Sequence, residues 1–554
     1  MVIAAVSIGL SVVQFAALAP PASSATSRSA VAPRLSWTAC RDGFQCATLY
    51  APLDYDRPDG VKVGVSVIRL PAGSPRQRIG SLLLNPGGPG GSGVDFVRGI
   101  AQILPLELRA RFDIVGFDPR GIIRSTPLRC FNTFQQAVSV LPPFPFPLTT
   151  AQENTQRVAD DRLAAACARH GGPILGHMST ADVARDMDLL RQALGDRSLT
   201  YLGFSYGSML GQTYANLFPG RVRALVIDGV LDPIAWTTGR RGEARTVPFS
   251  TRLRSDEGAQ RTLGEFFRLC DAAGSDCAFS HGARKRYAAL AARLRRHPVK
   301  IKDPQTGQTS TFTYQDLIGS TLGALYRSSS WPDFAMFLAD LERQVNAMAL
   351  GRRLAALRTV LGLDAAVQER YPNYIEGFPG VACSDSINPR SFAAWQRAAD
   401  SSERRYGYFG RIWTWVSDIC RPWPTVAGQD RYLGPWTART SSPVLVVGNY
   451  FDPATRYQGA VTASRLLPNS RLLSYAGWGH TAYFGAGNFC INTYVTRYLV
   501  STRVPPAGTV CRPEGSPFGP TEASALRLEE AKVAGTVLNA SLLPTSVRRA
   551  LGAR

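Results

Sequence analysis

The chain has 554 residues, of which 45% are hydrophobic and 19% charged, with a net charge of +21 carried mainly by arginine. That balance excludes wholesale disorder, and the length suits one large domain with an insertion or a second domain. No concentrated basic block stands out beyond short runs such as Arg284–Arg286 and Arg293–Arg296. A nucleic-acid partner is therefore not expected, and the arginine surplus suits at most a loose association with an anionic cell envelope.

Residues 2–19 are almost wholly apolar, and Ser23-Ser24-Ala25 fits the small-x-small rule. Residues 1–25 read as an export signal cleaved after Ala25. No positive stretch precedes the apolar run, so an uncleaved anchor is the alternative. Residues 26–37 are small, polar and proline-containing, a flexible leader. Val61, Val63, Val65 and Val67 alternate as in a half-buried strand, and Ser81–Leu84 and Phe112–Phe117 are short apolar runs ending in turns, as in buried parallel strands. Thr180–Leu194 carries a helical stripe with Gly195 as its stop. Leu199–Phe204, Ser205–Leu217 and Ala224–Asp228 then repeat a β-α-β rhythm, which predicts a parallel sheet covered by helices.

From 236 to 432 the texture turns helical and arginine-rich, and this stretch reads as an inserted, mainly helical cap. The β pattern returns at Val444–Val447 and Arg471–Tyr475, and Thr493–Val500 looks helical. The expected organisation is an α/β core in two parts, 38–235 and 433–511, split by the cap at 236–432 and followed by a tail, 512–554, with one helix. The ten cysteines include no C-x-x-C pair, and an even count in an exported chain reads as disulfides. Proximity suggests Cys40–Cys46, Cys270–Cys277 and Cys490–Cys511, leaving Cys130–Cys167 and Cys383–Cys420, though spacing alone leaves other pairings open.

Gly203-Phe204-Ser205-Tyr206-Gly207 matches G-x-S-x-G between a predicted strand and helix. The glycines permit a sharp elbow that exposes the serine oxygen, and a serine needs a base beside it to react. In this fold the chain order is Ser, Asp, His. His480 lies just after the strand Arg471–Tyr475, where catalytic groups sit in α/β sheets, whereas His281 and His297 fall among the basic residues of the cap. Asp452 follows the strand Val444–Val447 and is the expected partner of the imidazole, with Asp228 and Asp232 as nearest rivals. Backbone N–H groups must receive the oxyanion. Tyr206 is one expected donor, and Gly87 or Gly88, in the loop Asn85–Gly93, is the other. The same loop also fits G-x-G-x-x-G, with Asp113 about 20 residues on. An exported chain has little nicotinamide cofactor available, and Pro89 stiffens the turn, so a loop that serves Ser205, Asp452 and His480 is the preferred reading.

Asn85-Pro86-Gly87-Gly88-Pro89-Gly90, Asp118-Pro119-Arg120-Gly121, Gly203-Phe204-Ser205-Tyr206-Gly207, Asp228-Gly229-Val230, Ala382-Cys383-Ser384-Asp385 and Gly479-His480 together resemble the secreted actinobacterial tripeptidyl aminopeptidases, α/β-hydrolases related to prolyl aminopeptidases. The resemblance runs from about Cys40 to Cys511. It implies release of short peptides from substrates with a free N-terminus, access limited by the cap, and acidic groups there that bind the amine, for which Asp385 is a candidate. Two departures stand out: Ile123 replaces a usual glycine after Gly121, and Arg456 stands where proline is common near the acid. The expected reaction is acyl transfer through Ser205, His480 and Asp452, without metal or organic cofactor. An esterase or lipase-like hydrolase with the same triad is one alternative. A non-catalytic envelope-binding protein on this scaffold is the other.

Overall fold

The computed structural model describes residues 33–361, 371–428, 430–484 and 486–519. The expected export signal and the helix of the C-terminal tail lie outside these. Ten strands form one sheet: β1 (Thr38–Ala39), β2 (Gln45–Pro52), β3 (Lys62–Leu70), β4 (Gly80–Asn85), β5 (Phe112–Phe117), β6 (Leu199–Phe204), β7 (Val222–Asp228), then, after a separate two-stranded hairpin of β8 (Val299–Lys302) and β9 (Thr309–Phe312), β10 (Val444–Phe451), β11 (Ser470–Trp478) and β12 (Val510–Cys511). Their spatial order is β1-β2-β3-β5-β4-β6-β7-β10-β11-β12. The pairs β1–β2, β2–β3 and β3–β5 are antiparallel, and every later pair is parallel.

The central strands are apolar because both faces are covered. Leu82, Leu84, Ile114, Leu202, Phe204, Val226, Leu445 and Val447 belong to the core on one face. Leu83, Val115, Tyr201, Leu225, Ile227, Val444 and Val446 belong to the core on the other. The residues alternate because strand side chains point to opposite faces with a period of two. Each buried Leu, Ile or Val adds roughly 1.5–3 kcal/mol, which fixes the register on which the site depends.

Among the described residues between β7 and β10, the regular structure apart from the hairpin is helical, running from Pro233–Thr237 to Gly410–Trp415 through long helices such as Ser255–Ala273 and Phe392–Tyr406. Five disulfides are present: Cys40–Cys46, Cys130–Cys167, Cys270–Cys277, Cys383–Cys420 and Cys490–Cys511. No helix among the described residues is long and apolar enough to cross a membrane.

Candidate active site

Register brings the strand ends to one rim. Asn85 of β4 pairs with Gly203 of β6, Phe204 with Asp228 of β7, Asp228 with Val447 of β10, and Phe451 of β10 with Trp478 of β11. Because these strands are parallel, the loops that follow them leave on the same side, where ligands bind in open α/β sheets.

Ser205 sits on the turn between β6 and the helix Tyr206–Leu217, with φ 55° and ψ −121°. Residues bearing a side chain seldom adopt this conformation, and it persists only where the surroundings impose it. They do so here through close backbone approach. A Cβ at position 203 would lie 2.4 Å from the Gly207 carbonyl oxygen, and one at 207 would lie 2.9 Å from that of Asn85. The Ser205 N–H donates to the Asp228 carbonyl at 2.8 Å.

The loop after β4 presses on this elbow. Gly87 has φ 95°, and a Cβ there would stand 2.4 Å from Phe204 O and 3.0 Å from Tyr206 N. Its N–H donates to Asn85 Oδ1 at 2.9 Å, so it is already spent and Gly88 is left as the loop's candidate donor. Tyr206 is the first residue of its helix, so its N–H has no intrahelical acceptor. The loop is fixed from behind by Asp118, which accepts from Ser92 Oγ at 2.5 Å and Val94 N at 3.1 Å. Arg120, fully buried, grips Asp186 through two bonds of 2.6 and 2.7 Å. The Asp118–Gly121 motif is thus a strut beneath the site.

Two loops bring the remaining groups. His480 Nδ1 lies 3.0 Å from each oxygen of Asp452. A carboxylate only accepts, so Nδ1 carries the proton and Nε2 of the neutral ring is left with a lone pair. Nε2 is buried and has no hydrogen-bond partner among the described residues, Ser205 Oγ included. The imidazole nevertheless flanks the same peptide that holds the serine: a Cβ on Gly229 would lie 3.2 Å from His480 Cε1. Hydrogen bonds from a catalytic base commonly close only when substrate binds.

The supporting residues are ones that motif reading did not find. Thr455 donates to Asp452 Oδ2 at 2.8 Å and lies 3.3 Å from His480 Nδ1. Asn449 Nδ2 donates to Gly479 O at 2.8 Å and Thr481 O at 3.0 Å. From the helical insertion, the Tyr326 carbonyl accepts the His480 N–H at 2.9 Å, and its ring meets the imidazole edge-on at 5.0 Å. Only the spacing of Thr455 from Asp452 offered a local signal.

The other sequence candidates take different places. Asp232 caps the helix Pro233–Thr237 and pairs with Arg240 at 2.8 Å. His281 and His297 are exposed. Asp113 is the second residue of β5, at the end opposite the glycine loop, and accepts from Ala72 N and Arg78 Nε, so it does not serve a dinucleotide site there. Asp385 is buried and accepts from Thr180 N at 2.7 Å, Thr180 Oγ1 at 2.5 Å and Trp236 Nε1 at 3.1 Å. Burial pushes its carboxyl up, against these hydrogen bonds, to about 6. Since Thr180 Oγ1 also meets the Tyr206 hydroxyl at 2.5 Å, Asp385 anchors the residue that follows the serine.

Both departures from the family pattern are accommodated. Ile123 carries φ 46° where glycine would be unstrained, and its N–H is caught by Asn373 Oδ1 at 2.8 Å. Arg456 pairs at 2.7 Å with Glu257, which also faces Arg254 at 3.1 Å.

Comparison with known proteins agrees with this architecture. Residues 80–267 match the alpha/beta hydrolase fold family, and residues 406–511 match the TAP-like protein family. The chain is 32% identical over 508 residues to serine protease Hip1 of Mycobacterium tuberculosis, covering 86% of this chain and 91% of that protein. It is 34% identical over 507 residues to carboxylesterase B of the same organism, covering 87% and 91%. It is 30% identical over 485 residues to tripeptidyl aminopeptidase of Streptomyces lividans, covering 86% and 84%. The chain belongs to the α/β-hydrolase family, as a serine hydrolase of the branch that contains the tripeptidyl aminopeptidases and Hip1.

Proposed function

We propose that the chain is an exported serine exopeptidase that releases dipeptides or tripeptides from the N-termini of peptide substrates. Ser205 Oγ attacks the scissile carbonyl while His480 Nε2 takes its proton. The carbonyl oxygen becomes an oxyanion received by the N–H groups of Gly88 and Tyr206. Asp452 keeps the imidazole in the tautomer that leaves Nε2 free and stabilises the imidazolium. His480 then returns the proton to the leaving amine as the C–N bond breaks. Water, activated by the same imidazole, releases the peptide acid from Ser205. The observation that carries this reading is the His480 ring, with Nδ1 shared between both Asp452 oxygens and Nε2 buried and uncommitted beside the serine elbow.

The segment 236–432 acts as a cap between the two parts of the core, 38–235 and 433–511, and restricts access to chain ends. Five disulfides support folding in an oxidising compartment outside the cytosol. The carboxylesterase B relative supports a second reading, ester hydrolysis by the same groups. A peptide-library digest with the protein and its Ser205→Ala variant separates these. The account expects N-terminal dipeptides or tripeptides that disappear in the variant. Internal cleavage, or release that survives the substitution, contradicts it, and turnover of short acyl esters alone establishes the esterase.

A further inference from the structure

Asp228 ends β7 between the two loops that must cooperate, and the acyl-transfer chemistry gives it no role. It is fully buried. Its backbone carbonyl accepts the Ser205 N–H at 2.8 Å. Its carboxylate accepts from Ala482 N at 3.1 and 2.9 Å and from Tyr483 N at 2.7 Å, the two residues that complete the turn after His480. Gly229, the next residue, has φ 66°, and a Cβ on it would crowd Thr481 Cγ2 at 2.9 Å as well as His480 Cε1. One residue therefore touches the nucleophile's backbone with its main chain and the histidine loop with its side chain.

We infer that Asp228 is a positioning residue that sets the separation of Ser205 and His480 and places a second negative charge behind the imidazole. This rests on the triad reading above. The geometry favours a carboxylate over any neutral isostere. Three contacts from two backbone donors converge on its two oxygens, and an asparagine at this position would turn an N–H₂ group toward an N–H. Charge-assisted bonds of this kind are about twice as strong as neutral ones. The ionisable groups facing Asp228 are Asp452 and His480. Burial pushes its carboxyl up, the Tyr483 and Ala482 N–H groups pull it back, and it comes to about 7. Its charge is therefore present on the alkaline side of neutrality, where a serine hydrolase needs an unprotonated base.

The test is Asp228→Asn beside Asp228→Glu, with kcat and KM measured from pH 5 to 9 on folded protein. The Asn variant is expected to lose about 30-fold or more in kcat, with KM within about twofold, because an interaction that orients the base acts in the transition state. The acid limb of its kcat/KM profile should also move to lower pH and become shallower, since the carboxyl that must lose its own proton near 7 in the wild type is gone. The Glu variant keeps the charge and displaces the carboxylate, so its kcat should fall about tenfold with the acid limb in place. It carries the test alone if the Asn variant does not fold. Wild-type kcat in either folded variant, or a loss in Asp228→Asn with an unmoved acid limb, overturns the inference. Ser205→Ala distinguishes this from failure of the triad reading: if it stays active the triad is wrong, and if it is inactive while Asp228→Asn is normal, only the role of Asp228 falls.

Discussion

Along the sheet rim, each reactive group follows a strand whose register is locked by apolar neighbours on both faces, so Ser205, Asp452 and His480 inherit their places from the core. The helical insertion reaches the same site differently, through single buried polar residues. Asn373 accepts from Ile123 N and donates to Gly121 O at 2.7 Å and Leu128 O at 2.8 Å. Tyr326 holds the His480 N–H, and Ser255 Oγ donates to the Ala454 carbonyl at 2.6 Å beside the acid. A register is distributed over many contacts and tolerates the loss of one. A polar cross-link is concentrated and does not, because an orphaned buried partner retains its full desolvation cost.

Breaking one cross-link should therefore cost more than its size suggests. Asn373→Ala strands the buried Ile123 N–H and Leu128 carbonyl, while Gly121 O keeps its bond from the Leu128 N–H, and we expect a loss of about 2–6 kcal/mol at roughly 1–3 kcal/mol for each stranded group. Denaturant unfolding measures it. A shift below about 1 kcal/mol would place the anchoring elsewhere.

Next in size is an effect confined to the rim. Gly87→Ala would set a methyl 2.4 Å from Phe204 O and 3.0 Å from Tyr206 N, pushing the oxyanion loop off the elbow. The expected result is a fall of about 100- to 1,000-fold in kcat, the usual effect of losing one oxyanion donor, with far-UV circular dichroism unchanged. Retained activity would mean that the loop does not form the oxyanion site.

The smallest expected effect is a pH slope at a second contact between the insertion and the core. Asp160, on the helix Thr150–His170, and Asp418, in the insertion, are buried close enough for the charge of Asp418 to raise the Asp160 carboxyl. Gln156 Nε2 faces the first at 2.9 Å, and Arg421 Nε faces the second at 3.4 Å. Burial raises both carboxyls, Asp418 to about 6. The folded chain thus binds this proton more tightly than the unfolded chain does. The stabilisation is complete near pH 4 and is lost as pH rises through about 6. Asp418→Asn, which removes one of the two raised carboxyls, should flatten the fall in stability between pH 5 and pH 8 by on the order of 1–3 kcal/mol. Parallel slopes in variant and wild type would refute the raised Asp418 carboxyl.

The same contrast separates what is legible in the sequence from what is not. The expected strands Phe112–Phe117 and Leu199–Phe204 coincide with β5 and β6, because buried parallel strands are short apolar runs that stop at turns. Asp452 and His480 were identifiable because chain order and strand ends constrain where an acid and a base can lie, and the structure sets them in contact. The choice between Gly87 and Gly88 required the Asn85 side chain, two residues away yet pointing back at Gly87 N. Asn373 and Tyr326 had no local signature. They lie 250 and 154 residues from the partners they hold at Ile123 and His480, and an asparagine or tyrosine in a helical segment announces no partner. Asp228 was visible inside a motif as a rival acid, but its bonds to the Ala482 and Tyr483 backbone exist only after β7 and the histidine loop are side by side.

The account turns on Ser205, Asp452 and His480 acting as one unit, and a comparison of single and combined alanine variants tests that most directly. With kcat measured on one peptide substrate, the triple variant should fall within about threefold of Ser205→Ala alone, because groups that serve one proton transfer are not independent. Losses that instead multiply across the three positions would show that the residues contribute separately and would contradict the triad.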